Sequence, residues 1–313
     1  MKYLAKKTIT LIITLFIVSL LAFLAFQLIP GDPATQMLGT EATPERVEAL
    51  REQLGLNRPL LARYFDWLGQ FLFGDMGTSY SYSMPVREML AGKIPVTACL
   101  TGLSLLLIAV FSIPLGIWQG RHAGKLPDVS ATVLGQLFMS VPPFFLGIVF
   151  TLLFGLVLKL FTPGDFVSYS DSAGGFFRCI LFPALAIAIP KAAMTAKLLR
   201  TSIVAEVRED YVRTARSHGR SFPAALYTHV LRNAIFPVAT FLAQSIADIA
   251  AGSIIIEQVF SIPGIGRLLL TSIANRDYPV VQAIVVILAF LVVTVNFLVD
   301  VLCQRLDPRM RVA

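Results

Sequence analysis

The sequence predicts an all-α membrane protein with six transmembrane helices and both termini in the cytoplasm. Three observations carry this. Hydrophobic residues make up 56% of the 313 residues and charged residues only 14%, whereas a soluble domain carries about one-quarter charged residues. Mean hydropathy is +0.74. Lys and Arg gather in alternate loops between long apolar stretches, the bias that holds loops on the cytoplasmic side. The net charge of +7 reads the same way, since no nucleic-acid-binding motif accompanies it.

The first span follows Lys2, Lys6 and Lys7 and runs without a charge from Thr8 to Ile29. About 22 residues at 1.5 Å rise reach roughly 33 Å, enough to cross a bilayer core. A signal peptide competes, but its apolar region is about half this length and ends at a small-residue cleavage site. Here the segment runs on into IPGDP, which favours a retained helix.

Five further spans are expected at 95–119, 129–160, 180–199, 233–256 and 280–303. Pro114, Pro142, Pro143, Pro183 and Pro190 fall inside them, so bent helices are expected. The basic loops are the N-terminus, 120–128 (Arg121, Lys125), 197–232 (seven Lys/Arg from Lys197 to Arg232) and the tail (Arg305, Arg309, Arg311). The alternate loops hold Arg178, and Arg267 with Arg276. The loop 30–94 has six basic and eight acidic residues, but loops that long weigh little in the bias. The organisation is thus 1–29 as N-terminal segment and first helix, 30–94 as extracytoplasmic loop, 95–303 as a five-helix core carrying a cytoplasmic loop at 200–232, and 304–313 as a cytoplasmic tail.

In the outer loop, PERVEALREQL at 44–54 reads as an amphipathic helix, with Pro44 at its start and Val47, Leu50 and Leu54 on one face. Cys99, Cys179 and Cys303 show neither metal spacing nor a paired framework and read as small hydrophobes facing lipid or core.

Between the fourth and fifth spans lies EVREDYVRTARSHGRSFPAALYTHVLRNAIFP. Glu206, Glu209 and Asp210 precede Arg213 and Arg216 at helical spacing. Gly219 suits the left-handed end of a helix. Ser221 with Pro223 can open a second, short helix. The expected product is a helix–turn–helix bracket exposing Tyr211, His218, Tyr227 and several arginines. One reading is a solvated loop that merely fixes topology. The other is a docking knob, since aromatics and Arg carry interface energy.

In the fifth span Gln244, Asp248 and Gly252 recur every fourth residue, with Ser245 beside them, as a polar stripe on an apolar helix. An aspartate in mid-membrane faces water or a partner. Asp248 therefore lies on a substrate path or makes a helix-packing hydrogen bond. Lys191 is the other intramembrane charge. From the expected span ends it sits roughly 13 Å deep and Asp248 roughly 24 Å, so a direct pair needs offset helices; otherwise Lys191 reaches water along its stem. Lys197 is expected to do the latter. Near the outer face, FSIPGIG is a Pro/Gly turn, and Leu268-Leu269-Leu270 suggests a short helix near the membrane surface; an ordinary connector is the alternative.

No GxxxxGK[ST] phosphate loop occurs; GRHAGKL at 120–126 lacks its spacing and its final Ser/Thr. HExxH and GxSxG are absent too. The reading is therefore not an enzyme, with no catalytic residue and no metal site in this chain.

DYVRTARSHG…HVLRNAIFPV resembles the cytoplasmic loop of permease subunits of bacterial ABC importers, in the dipeptide/oligopeptide/nickel branch. The resemblance covers nearly the whole chain: IPGDP (29–33), LGLNRPLLARYFDWLGQFLFGDMGTSY (54–80), IPLGIWQGRHAGKLPD (113–128), SVPPFFLG (140–147), VFSIPGIGRLLLTSIANRDYPVVQ (259–282) and LVDVLCQRLDPRMR (298–311) stand in order. Against that family's Glu-Ala-Ala loop pattern, Ala215, Gly219 and Leu231 match. Arg213 and Thr214 stand for Glu and the first Ala, His229 for Ile and Arg232 for Pro.

The resemblance implies a type I ABC importer permease fold in the bacterial inner membrane. Its bracket (Tyr211, Arg213, Thr214, Ala215, His218, Gly219, Leu231) would seat on an ATPase. The path would involve Lys191, Gln244, Asp248 and Gly252, and an outer gate Pro263, Gly264 and Gly266. The implied partners are a second permease subunit, two ATP-binding subunits holding ATP and Mg, an extracytoplasmic binding protein and the bilayer. Short peptides are the expected cargo. Nickel or a metal chelate is the alternative, although His122, His218 and His229 all lie on the expected cytoplasmic side. A proton-coupled carrier using Asp248 and Lys191 is the more remote rival.

Overall fold

The computed structural model describes residues 2–27, 33–39, 42–53 and 55–306. Most of IPGDP, Leu54, the Cys303 side chain and the end of the basic tail lie outside the described residues. Among those described no strand forms; Thr78 and Pro85 make one isolated antiparallel bridge. The helices are α1 Lys2–Gln27, α2 Pro33–Leu38, α3 Pro44–Gln53, α4 Leu60–Leu72, α5 Val86–Ala91, α6 Ile94–Arg121 and α7 Leu126–Ser140. They continue as α8 Pro143–Phe150, α9 Ala173–Glu206, α10 Asp210–Ser217, α11 Phe222–Ala225, α12 Leu231–Val259, α13 Ile265–Ala274 and α14 Tyr278–Leu306.

Among the described residues five helices are long and apolar enough to cross a membrane, and six if one bent pair counts as a span. That pair corrects the expected single helix at 129–160. α7 and Pro143–Val157 meet at 91°, because Pro142 and Pro143 deprive the chain of two successive amide donors. α8 then runs on into a π-helical stretch, Thr151–Val157.

The fourth span is also longer than expected. α9 holds 34 residues and runs on to Glu206 rather than stopping near 199. The expected short second helix of the bracket is not separate. α11 passes through a π-helical turn, Leu226–Val230, into α12, so Phe222–Val259 is one apolar helix.

Contacts divide the chain into two compact units. One comprises Met1–Val96 with Gly264–Phe297 and the other Thr97–Pro263 with Leu298–Ala313. In the first, Tyr64 of α4 is buried between Phe16 and Phe23 of α1, with ring centroids 5.7 and 5.5 Å away. Its hydroxyl shares a 2.8 Å hydrogen bond with Ser19 Oγ. Phe26 packs on Tyr278 and Phe71 on Phe290. The buried Asp277 carboxylate accepts from Ser79 Oγ, from Tyr80 N at 2.9 Å and from Ser81 N at 3.4 Å, fastening the turn at 79–85 beside the start of α14. α3 is helical as expected, but it buries no residue, and Val47 and Leu50 are only half-buried.

In the second unit α9 is central, packed on α7, α8 and α12. Ala184, Ala188, Ala192 and Ala196, four residues apart, are all buried. Lipid tails are as apolar as leucine, so close packing of small residues is what draws such helices together. Gly116 and Gly120 of α6 act likewise. A Cβ on Gly116 would lie 2.8 Å from Leu199 Cβ and 2.9 Å from the Ala196 carbonyl oxygen, and one on Gly120 would lie 2.7 Å from Ile203.

Candidate functional site

The bracket begins where α9 ends at Glu206 and a short link leads into α10. α10 is closed by a complete Schellman motif. Gly219 N donates to Arg216 O at 2.9 Å and Arg220 N to Ala215 O at 3.4 Å, with Gly219 at φ +84. That left-handed conformation is why glycine stands there. Ser221 caps the next helix, its Oγ accepting from Ala224 N at 3.4 Å.

One buried cluster roots the bracket. Leu199 and Ile203 of α9, Val212 of α10, Leu226 and Val230 of the π turn, and Ala234 and Val238 of α12 pack together. Leu231 packs against it, half-buried. Tyr211 is less free than the sequence suggests. Its hydroxyl donates to Glu206 and accepts from Asn233 Nδ2 at 3.1 Å, joining the ends of α9 and α12. Partial burial first, then the Glu206 hydrogen bond, push its pKa up to about 12. Arg213, Thr214, His218, Gly219 and Tyr227 are exposed, and Ala215 is half-buried. Arg213 reaches Asp210 at 3.5 Å in a fully solvated pair. Arg208, Arg213, Arg216 and Arg220 rim an open concavity of about 750 Å³, so the exposed face is basic.

The two intramembrane charges meet: Lys191 Nζ lies 2.8 Å from Asp248 Oδ2. α9 runs past its apolar core to Glu206, about 22 Å from Lys191, so the two helices are offset enough for the pair to form directly. Lys191 also lies 6.0 Å from the Phe241 ring centroid. Lys197 is exposed. Gln244, Asp248 and Gly252 share one exposed face of α12, with the Asp248 side chain 66% exposed, while Ser245, Ile249 and Ser253 turn inward.

At the other end of α12, Ser261 holds φ +56 and Ile262 N donates to Glu257 O at 2.8 Å, which ends the helix. Pro263 follows and Gly264 caps α13. Gly266 is buried inside α13 with Leu268 and Leu269. The leucine run is therefore helical as expected, but it is mostly packed in protein rather than spread on a membrane surface.

Two buried contacts escaped the sequence reading. Arg200 of α9 grips Asp128 of α7 through Nε–Oδ1 at 2.7 Å and Nη2–Oδ2 at 2.6 Å, and Asp128 also accepts from Gly124 N at 2.9 Å. Thr97 Oγ1 donates to the fully buried Glu257 at 2.6 Å. Asp128, Arg200 and Glu257 all stand just outside the expected spans, so no local pattern singles them out. Cys99 is exposed, and Cys179 Sγ is 3.4 Å from Asp165 O.

Residues 112–312 match the family model described as "binding-protein-dependent transport system inner membrane component", and residues 1–101 match its N-terminal companion. A putative peptide transport system permease protein of Brucella abortus is 38% identical over 310 residues, covering 98% of both chains. A probable peptide ABC transporter permease protein of Sinorhizobium fredii is 32% identical, and a glutathione transport system permease protein of Escherichia coli 35% identical, each covering 99% of both chains. A chain from the crystal structure of an amino acid ABC transporter with histidines superposes with TM-score 0.55 over 70% of this chain and 94% of its own, at 16% identity. That last likeness speaks to the fold.

Proposed function

This chain belongs to the family of inner-membrane components of binding-protein-dependent transport systems, and from that premise we propose that it is the permease subunit of an ATP-driven importer of short peptides. The family match across nearly the whole chain carries this reading. The peptide and glutathione names of its relatives support the cargo class. The chain does no covalent chemistry. ATP and Mg belong to two partner ATPase subunits, and specificity to an extracytoplasmic binding protein.

The bracket is the ATPase-coupling element, on the cytoplasmic side with both termini. Its buried cluster joins α10 to α9 and to α12, so a push on the bracket moves both helices that carry the Lys191–Asp248 pair. The exposed stripe of Gln244, Asp248 and Gly252 faces the translocation path, completed by a second, similar permease subunit. Lys191 lines the same path. Pro263, Gly264 and Gly266 set the outer gate.

The test is peptide uptake by membranes carrying the whole transporter with Gly219 altered. A Cβ at Gly219 meets no atom within 4 Å, so only backbone conformation is at stake. Gly219→Asn, which tolerates the left-handed region, should keep uptake; Gly219→Val should lose it while still inserting. Full ATP-dependent uptake by Gly219→Val removes the coupling role.

A further inference from the structure

We infer that α4 is not part of an aqueous loop but lies within the bilayer, presenting Leu61, Phe65, Leu68 and Leu72 to lipid acyl chains.

The helix has three separate arcs. At 100° per residue Arg63, Asp66 and Gln70 fall on one side, and Tyr64, Trp67 and Phe71 on a second. Leu61, Phe65, Leu68 and Leu72 fall on the third. The polar arc borders a cavity of about 530 Å³, where Arg58 holds Asp66 at 2.5 Å. The aromatic arc packs on α1. The third arc is largely uncovered: Leu61 is 67%, Phe65 57% and Leu72 66% exposed, Phe73 just beyond is 93% exposed, and Leu68 is half-buried. Scattered exposed leucines are ordinary, but a stripe of large apolar side chains on one helix marks an interaction surface.

Its depth identifies the occupant as lipid. α1 is long and apolar enough to cross the membrane between Lys6 and Gln27, and Tyr64 is bonded to Ser19. Ser19 lies about 20 Å along α1 from Lys6 and about 12 Å short of Gln27. Phe26 touches Tyr278, so α1 and α14 share that end. Phe71 meets Phe290, about 18 Å further along α14 than Tyr278. Both turns of α4 that touch the spans therefore do so well below their common end, even allowing for the length of the rings. The neighbouring face of α1, with Ile13, Ile17 and Leu21 exposed, continues the same apolar surface. A helix with one wet side and one greasy side at this level sits in a leaflet with its polar side turned to a water-filled recess.

The test uses the whole transporter in lipid, with the native cysteines replaced and single cysteines at Leu61, Phe65, Gln70 or Ser83. Leu61→Cys and Phe65→Cys should resist a membrane-impermeant maleimide, which should label Ser83→Cys readily. A bimane at Leu61→Cys or Phe65→Cys should be quenched by acyl-chain nitroxide lipids several-fold more than one at Gln70→Cys. Labelling of Phe65→Cys as fast as Ser83→Cys would overturn the inference by placing the arc in water. Protection without lipid quenching would overturn it by showing that another protein chain covers the arc. The inference needs only that the chain spans a membrane, so a different cargo leaves it untouched.

Discussion

α9 is tied to two of its neighbours by two ion pairs of opposite character. Near one end Arg200 holds Asp128 of α7 in a two-pronged grip, with Asp128 only 1% exposed. Farther along, Lys191 holds Asp248 of α12 by one contact, with the carboxylate two-thirds exposed. A buried charge that loses its partner is left stranded without water, whereas an exposed one is rehydrated. The first pair is thus a fixed strut between α7 and α9. The second leaves its carboxylate open on the exposed face of α12, as the path role proposed for Asp248 requires.

The sharpest way to break this comparison is Arg200→Ala. It should destabilise the solubilised protein by about 3–5 kcal/mol, because it leaves the Asp128 carboxylate buried with only the Gly124 amide; a thermal unfolding series measures it. A cost below about 1 kcal/mol would make the two pairs alike. Gly120→Val should cost about 1–3 kcal/mol by forcing α6 off Ile203 of α9, read in the same assay.

Tyr211→Phe should cost about 1 kcal/mol by removing the Glu206 and Asn233 hydrogen bonds. With its pKa raised to about 12 in the fold against about 10 when free, the tyrosine's contribution is fully present below pH 10. It is lost only as pH rises toward 12. The difference between Tyr211→Phe and the parent should therefore stay constant from pH 6 to 9. The smallest effect on stability belongs to the exposed pair: a double-mutant cycle of Lys191→Met and Asp248→Asn should give a coupling of about 0–1 kcal/mol, while Asp248→Ala slows uptake. Unchanged uptake and affinity would make Asp248 a packing residue.

The spans were legible in the sequence because a soluble fold rarely carries an uncharged stretch of bilayer length. The bracket was legible too, since Gly219 and Ser221 are local signals for local geometry. The Lys191–Asp248 contact is open in the sequence because its partners are 57 residues apart and apolar patterning does not fix the offset between two helices. Arg200 looked like a topology marker for the same reason; its partner is 72 residues away, and no local pattern encodes that distance. Gly116 and Gly120 did carry a readable signal, two small residues four apart in an apolar helix. The break at Pro142 was visible as a proline pair, but its 91° angle depends on packing around α8.

The central claim is that a membrane gate without its own engine is driven by ATPase partners. Its most direct test is uptake of a labelled dipeptide into liposomes holding the complete transporter, with ATP supplied on the bracket side and binding protein on the other. Accumulation should require both. Equal accumulation by this chain alone, under a proton gradient without nucleotide, would contradict the account.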